Sequence, residues 1–292
     1  MNPYDIEKSV SDGPEPNRDD AASGLKDRLG ATVATAVGWA PAVIVAGIAL
    51  LVWQFVAVAF ELPRALLPRP AEVWQAALEN RIVLLKAFAS TGIAATSGLL
   101  TAICIGSLIS VAFSQSRAIR VAFFPYVIFL QTVPIVAITP LLIIWSGYQF
   151  RTVVIVTVII CLFPIVNSVT AGLITIDRQW ADLFSLYGTG RVKTLLRLRI
   201  PAAIPNLVLG AKTSSGLAVI GAIVAEFFVG NGTAYEGLGS LMASWQAFLK
   251  TAALIAAVFT STLLGLILFG LVDVVSRTLL RRWMNVSGTL PK

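Results

Sequence analysis

The sequence predicts an all-α membrane protein of about six transmembrane helices, and three observations carry that reading. Hydrophobic residues make up 57% and charged residues 13% of the 292 residues, whereas soluble domains carry about 25% charge. The mean hydropathy is +0.84. The charges are also segregated. No Asp, Glu, Lys or Arg falls between Arg28 and Glu61, Lys86 and Arg117, Arg120 and Arg151, Arg151 and Asp177, or Lys250 and Asp273. Each run holds the roughly 20 apolar residues that a helix needs to cross a hydrocarbon layer.

From the N-terminus, seven acids and four bases among the first thirty residues, with no apolar periodicity, predict a disordered tail over 1–37. It lacks the basic-then-apolar order of a signal peptide, so the first span is expected to stay uncleaved. Spans are predicted at about 38–60, 88–113, 121–146, 152–173 and 252–273, within a membrane domain over 38–276. One further span at 208–230 starts near Lys212 and carries Glu226 towards its far end, where both side chains reach water by snorkelling. A basic tail over 277–292 closes the chain. Cys104 and Cys161 fall in mid-span and indicate neither a disulfide nor a redox role. Asn231-Gly-Thr233 reads as a turn.

The Lys and Arg residues set the orientation. With the N-terminus inside, fifteen fall on the inner side and six outside, with Lys212 at the inner end of its span. The positive-inside rule then places both termini, and the polar segment 177–206, in the cytoplasm. Topology accounts for the net charge of +7 and gives no reason to invoke nucleic acid.

That polar segment, about thirty residues long, is the most informative stretch. Trp180, Leu183, Phe184 and Tyr187 recur at i, i+3, i+4, i+7 and share one face of a short helix. Gly188 ends it as a C′ glycine, a basic helix follows from Arg191 to Arg199, and Pro201 and Pro205 punctuate the return to the next span. Asp182 is expected to cap or salt-bridge at the helix N-terminus. An amphipathic helix lying on lipid headgroups is the alternative reading.

The spacing Asp182-x5-Gly188-x9-Leu198-x-Ile200-Pro201 resembles the EAA loop of permease subunits of binding-protein-dependent ABC importers, with Leu183 and Phe184 in place of its two alanines. Other stretches resemble the nitrate, sulfonate, taurine, thiamine-pyrimidine and riboflavin branch of that family. They are Leu62 to Trp74 with Pro68-Arg-Pro70, Gln131-Thr-Val-Pro134, Thr139-Pro140 to Trp145, Ala225-Glu226 to Gly230, and Gly237-Leu-Gly239. The resemblance covers about 38–276 and implies a type I importer permease fold in the bacterial inner membrane. It also implies that the 177–206 loop is a coupling helix docked on a cytoplasmic ABC ATPase dimer, with Trp180, Asp182, Leu183, Phe184, Tyr187, Gly188 and Pro201 at the joint. A second copy of the permease and an extracytoplasmic solute-binding protein, delivering to loops near 62–86 and 231–250, complete the implied assembly.

No G-x-x-x-x-G-K-[ST] run occurs, so ATP belongs to the partner and the chain itself calls for no cofactor or metal. Pro134 and Pro140 are expected to break or kink the third span, freeing carbonyls that need protein or water beside them. Gln131, Thr132, Pro134, Thr139, Ser214, Ser215 and Glu226 are candidates for a translocation path. Helix-to-helix bonding is the competing role for the hydroxyls, and an interfacial position the competing role for Glu226. A secondary carrier wants mid-membrane ionisable groups, and the first four spans have none. An enzyme wants a cluster of nucleophile, base or metal ligands, and the chain has no His and two separated Cys. For the importer, the absence of charge in the first four spans favours riboflavin or a thiamine-type pyrimidine over a nitrate, sulfonate or taurine anion.

Overall fold

The computed structural model describes residues 41, 43–61, 63–176, 178–230 and 235–287. The predicted N-terminal tail over 1–37, the turn at Asn231 to Thr233, Asp177 at the start of the polar loop and the last five residues lie outside them. The chain divides into two compact units, Met1–Leu62 and Pro63–Lys292. The first contributes one described helix, α1 (Val43–Ala59), which is apolar and short.

The second unit holds α2 (Pro70–Glu79), α3 (Arg81–Gln115), α4 (Arg117–Thr132), α5 (Ile135–Ser146), α6 (Phe150–Ile174), α7 (Arg178–Leu186), α8 (Arg191–Thr194), α9 (Ile200–Val229), α10 (Leu238–Ala247) and α11 (Thr251–Ser287). Among the described residues, α3, α6, the continuous run Arg191–Val229 and α11 are each long and apolar enough to cross a membrane, and α4 with α5 supplies a fifth crossing if counted as one bent span. Several helices outrun the predicted spans. The 35 residues of α3 extend about 52 Å at 1.5 Å per residue, well beyond a hydrocarbon core of about 30 Å. The expected basic tail starts as helix, because α11 continues to Ser287.

The core is the triple contact of α3, α6 and α9. Lipid gives apolar helices no reason to leave it, so association depends on close backbone approach and hydrogen bonds. Both are present. A Cβ on Gly98 or Gly106 of α3 would collide with Thr157 or Ile165 of α6, and one on Gly172 would collide with Asn206 of α9. Ser110 Oγ donates to the Val166 carbonyl at 3.1 Å, joining α3 to α6. Ser214 Oγ donates to the Cys161 carbonyl at 3.3 Å while Cys161 Sγ donates back to the Ser214 carbonyl at 3.5 Å, joining α6 to α9.

The third predicted span is a broken one, bent by 100° between α4 and α5. Val133 is extended (φ −71°, ψ 126°), as steric pressure from the Pro134 ring requires of the residue before a proline. Pro140 makes no second break and lies within α5. A proline there removes one helical N–H, and Thr139 Oγ1 bonds the Ile135 carbonyl at 2.7 Å in the same turn. Serine and threonine side chains commonly support a membrane helix at such points.

The approach to α9 also differs from expectation. Pro201 and Pro205 lie inside one continuous helical run instead of ending it. The turn Leu195–Arg199 is π-helical, and Ile200 N–H reaches back to the Leu195 carbonyl. Widening that turn relieves the clash that a proline ring makes with the carbonyl four residues earlier.

Candidate functional site

The knob is built by a helix end whose hydrogen bonds close on themselves. Gly188 sits at φ +61°, the left-handed region that suits glycine. Thr189 N–H bonds the Phe184 carbonyl at 3.1 Å and Gly188 N–H bonds the Ser185 carbonyl at 3.0 Å, which is the paired pattern of a Schellman cap. Thr189 Oγ1 donates to the same Phe184 carbonyl at 2.6 Å. The chain therefore reverses sharply out of α7 into α8.

The two sides of α7 are unlike. Trp180, Leu183, Leu186 and Tyr187 are exposed, Tyr187 to 78%. Phe184 turns the other way and, with Ser185 and Thr189, lines a cavity of about 560 Å³ between the knob and the bundle. Of the four aromatic and aliphatic residues expected on one outward face, three are outward and Phe184 is half-buried. Asp182 lies in the middle of α7, past the first turn, and is exposed. It is too far along the helix for the expected N-terminal cap. Across the cavity, Arg199 Nη1 donates to the Ser114 carbonyl at 3.1 Å. This bond fastens the π turn to the last turn of α3, where carbonyls lack helical partners and a cation is favoured.

At the other end of α9, Glu226 is fully buried. Its carboxylate accepts from Thr91 Oγ1 (2.8 Å), Tyr235 OH (2.8 Å) and Gly239 N–H (3.0 Å). Thr91 Oγ1 in turn accepts from Leu238 N–H at 2.8 Å, and Ser240 Oγ donates to the Glu226 carbonyl at 3.1 Å. One carboxylate thus pins α10 and its lead-in to α3 and α9. The glycines of the Gly230 and Gly237-Leu-Gly239 stretch are there for space. A Cβ on Gly237 would meet the Glu226 carboxylate, one on Gly239 would meet the Ile223 carbonyl, and one on Gly230 would meet the Ser240 side chain. Burial first and the adjoining carboxylate second push the Tyr235 hydroxyl above the ordinary phenol range, so it stays a donor. Its ring packs edge-on to Phe150 at 6.0 Å between centroids.

The remaining path candidates separate into two sets. Gln131, Thr132 and Pro134 are exposed at the α4–α5 break. Thr139, Ser214 and Ser215 are fully buried, and each hydroxyl donates to a backbone carbonyl. Glu226 joins neither set. Lys212 does not depend on snorkelling, because it forms an ion pair with Asp273 of α11 at 2.5 Å, and Asp273 also holds Arg277 at 2.7 Å. That triad escaped sequence reading, since Lys212 and Asp273 sit in separate spans. The i,i+4 spacing of Asp273 and Arg277 was its one local signal.

The fold is a broken-span helical bundle carrying a capped, outward-facing knob, and comparison with known proteins gives its family. Residues 102–281 match the binding-protein-dependent transport system inner membrane component family. The chain belongs to that family, whose members are ABC importer permeases and not enzymes. It is 30% identical over 230 residues to a probable ABC transporter permease of Haemophilus influenzae, covering 79% of this chain and 92% of that one. It is 31% identical to the formylaminopyrimidine transport permease ThiX of Halalkalibacterium halodurans, with 63% and 72% covered. With the riboflavin transport system permease RibX of Chloroflexus aurantiacus the identity is 29%, with 80% and 86% covered. With a putative aliphatic sulfonates permease of Bacillus subtilis it is 24%, with 85% and 89% covered. As a permease of this family the chain spans the membrane and works with an ATPase and a solute-binding protein.

Proposed function

We propose that the chain pairs with a second copy of itself to form the translocation path of an importer in the bacterial inner membrane. The α7–α8 knob is its joint with a cytoplasmic ATPase dimer. The knob carries the proposal. Its exposed Trp180, Leu183 and Tyr187 offer an apolar anchor, and its far side is fastened to α3 through Arg199. A push on the knob is therefore delivered to the core of the bundle. Closure of the ATPases on ATP moves both knobs and tips the bundle between outward- and inward-facing states. The fifteen-to-six distribution of Lys and Arg supports placing the knob and both termini in the cytoplasm. In this assembly the membrane domain covers 38–276, its coupling loop is 177–206, and a binding protein delivers to the loops near 62–86 and 231–250.

Gln131, Thr132 and Pro134, exposed at a 100° break, are the residues that face the path. An unwound point in a membrane helix persists where it adjoins protein or a water-filled cavity. The solute is a neutral heteroaromatic vitamin or precursor, of the riboflavin or thiamine-pyrimidine kind. Two observations support this class. The first four spans carry no charge that would pair an anion, and relatives named for formylaminopyrimidine and riboflavin transport are among the similar chains. The sulfonate permeases support an alkanesulfonate as the second reading.

Proteoliposomes holding the permease, its ATPase and its binding protein test both levels. The proposal expects ATP-dependent uptake of labelled riboflavin or an aminopyrimidine. Uptake of taurine or an alkanesulfonate instead would overturn the solute and leave the permease intact. Uptake without ATP or ATPase would overturn the permease mechanism itself.

A further inference from the structure

Two cavities lie near one another at the knob end of the bundle. One, of about 560 Å³, lies against the ends of α3 and α6 and the π turn, and is lined by Arg191, Arg199, Gln115, Ser185, Thr189 and Thr194 among others. The other, of about 410 Å³, is an apolar groove between α3, α6 and α9. On each of the three helices the lining of the second continues that of the first within one turn. Val111 is followed by Ser114 on α3, Leu173 by Ile174 on α6, and Ile200 is preceded by Arg199 at the head of α9. On α3 the residues are Cys104, Ser107, Leu108, Val111, Ser114 and Gln115, a single stripe at helical spacing. The walls are thus basic and hydroxylic at the end of the bundle and apolar further in.

We infer that the two cavities act as one groove and bind one anionic glycerophospholipid, its phosphate between Arg191 and Arg199 and an acyl chain along the α3 stripe. The dimensions fit. From Ser114 to Cys104 is ten residues, about 15 Å along a helix, or half of a hydrocarbon core of about 30 Å. That is the depth of one leaflet. The charge also fits. The Arg191 guanidinium has no hydrogen-bond or ion-pair partner among the described residues, the backbone carbonyl alone being bonded, to Leu195 N–H, and Arg199 spends one Nη on Ser114 and keeps its other donors. Guanidinium groups bind phosphate with several donors at once. Ser185, Thr189 and Thr194 add neutral hydroxyls to the same wall, those of Thr189 and Thr194 already donating to the Phe184 and Gly190 carbonyls. The lipid touches the knob through Phe184 and Ser185 and the bundle through α3, so it occupies the hinge between them. The site rests on the membrane-spanning fold, and only its assignment to the cytoplasmic leaflet rests on the orientation proposed above.

The native Cys104 thiol, exposed in the groove while Cys161 is buried, is a reporter already in place. The purified permease–ATPase complex is labelled there with benzophenone maleimide. It is then placed in nanodiscs of equimolar phosphatidylglycerol and phosphatidylcholine, irradiated, and the adduct weighed. The expected product is a phosphatidylglycerol adduct at roughly tenfold excess over phosphatidylcholine. Arg191→Gln, which leaves the Arg199–Ser114 bond in place, should reduce that preference several-fold, and Arg191→Gln with Arg199→Gln should abolish it. Millimolar inorganic phosphate should leave the adduct undiminished. Equal labelling of the two lipids would overturn the inference, as would competition by free phosphate or an adduct to a second permease chain. The readout involves no transport, so it stands apart from the coupling and solute proposals.

Discussion

Replacing Glu226 by alanine removes at one stroke the acceptor of two buried donors and one half-buried one. Thr91 Oγ1, Tyr235 OH and Gly239 N–H all end on its carboxylate at 2.8 to 3.0 Å. A buried donor left unsatisfied costs about 1–3 kcal/mol, so the three together cost on the order of 5 kcal/mol after partial relaxation. A chain of this size shifts its midpoint by roughly 2–4 °C per kcal/mol, which puts the expected fall on the order of 10 °C or more. Glu226→Gln separates geometry from charge. Its carbonyl oxygen, placed where Oε2 stands, still accepts from Thr91 and Gly239, while its amide donates to the Tyr235 oxygen once that hydroxyl turns. Its expected loss is about 1 kcal/mol. The assay is thermal unfolding of the detergent-solubilised chain, together with limited proteolysis between Tyr235 and Lys250. The alanine variant should melt far below the glutamine variant and be cut first in that segment. If alanine and glutamine variants melt together, within about 2 °C of the native chain, the carboxylate does not pin α10 and the reasoning fails.

Two other substitutions probe the knob and the core. Gly188→Val places a β-branched residue at φ +61°, where L-residues lose about 1–2 kcal/mol or more. ATP hydrolysis by the complex should persist while solute uptake drops at least tenfold, measured together in proteoliposomes, and unchanged uptake would remove the knob from the mechanism. Ser214→Ala deletes the α6–α9 hydroxyl bond and should lower stability by about 0.6–2 kcal/mol. Its KM for solute should stay that of the native chain, whereas a raised KM at unchanged stability would return Ser214 to the translocation path.

What the sequence discloses depends on how local the cause is. Gly188 was legible because a C′ glycine is chosen by the helix it ends, and the aromatic spacing before it defines that helix. Pro134 was legible because it constrains its own neighbour, Val133. Pro140 and Pro201 follow the same rule locally, yet the chain absorbs them, one beside the Thr139 hydroxyl bond and the other by a π turn. Propensity cannot foresee either remedy. Glu226 stands at the far limit. Its acid and the glycines after it were visible as a motif, but their purpose depends on Thr91, which is 135 residues away in sequence. Ser214 and Ser215 illustrate the same gap, since a buried hydroxyl on a path and one between helices look alike until the neighbouring helix is placed. Periodicity defines a helical face and does not say which edge of it meets the bundle, so Phe184, expected outward with its face, lines the cavity instead.

Coupling of ATP hydrolysis to transport requires that the ATPase dock on the exposed side of α7. The direct measurement is co-purification of the tagged chain from its native membrane, comparing the native sequence with Leu183→Asp and with Leu183→Asp/Phe184→Asp. Leu183 is outward and Phe184 lines the cavity behind it, so the single substitution tests docking without disturbing the joint's inner side. The account predicts that a Walker-motif ATPase travels with the native chain and is lost from both variants while the permease itself is recovered intact. An ATPase retained by Leu183→Asp at native yield would contradict the assignment of this face. Native chain that travels alone and moves solute without ATP would contradict the importer mechanism as a whole.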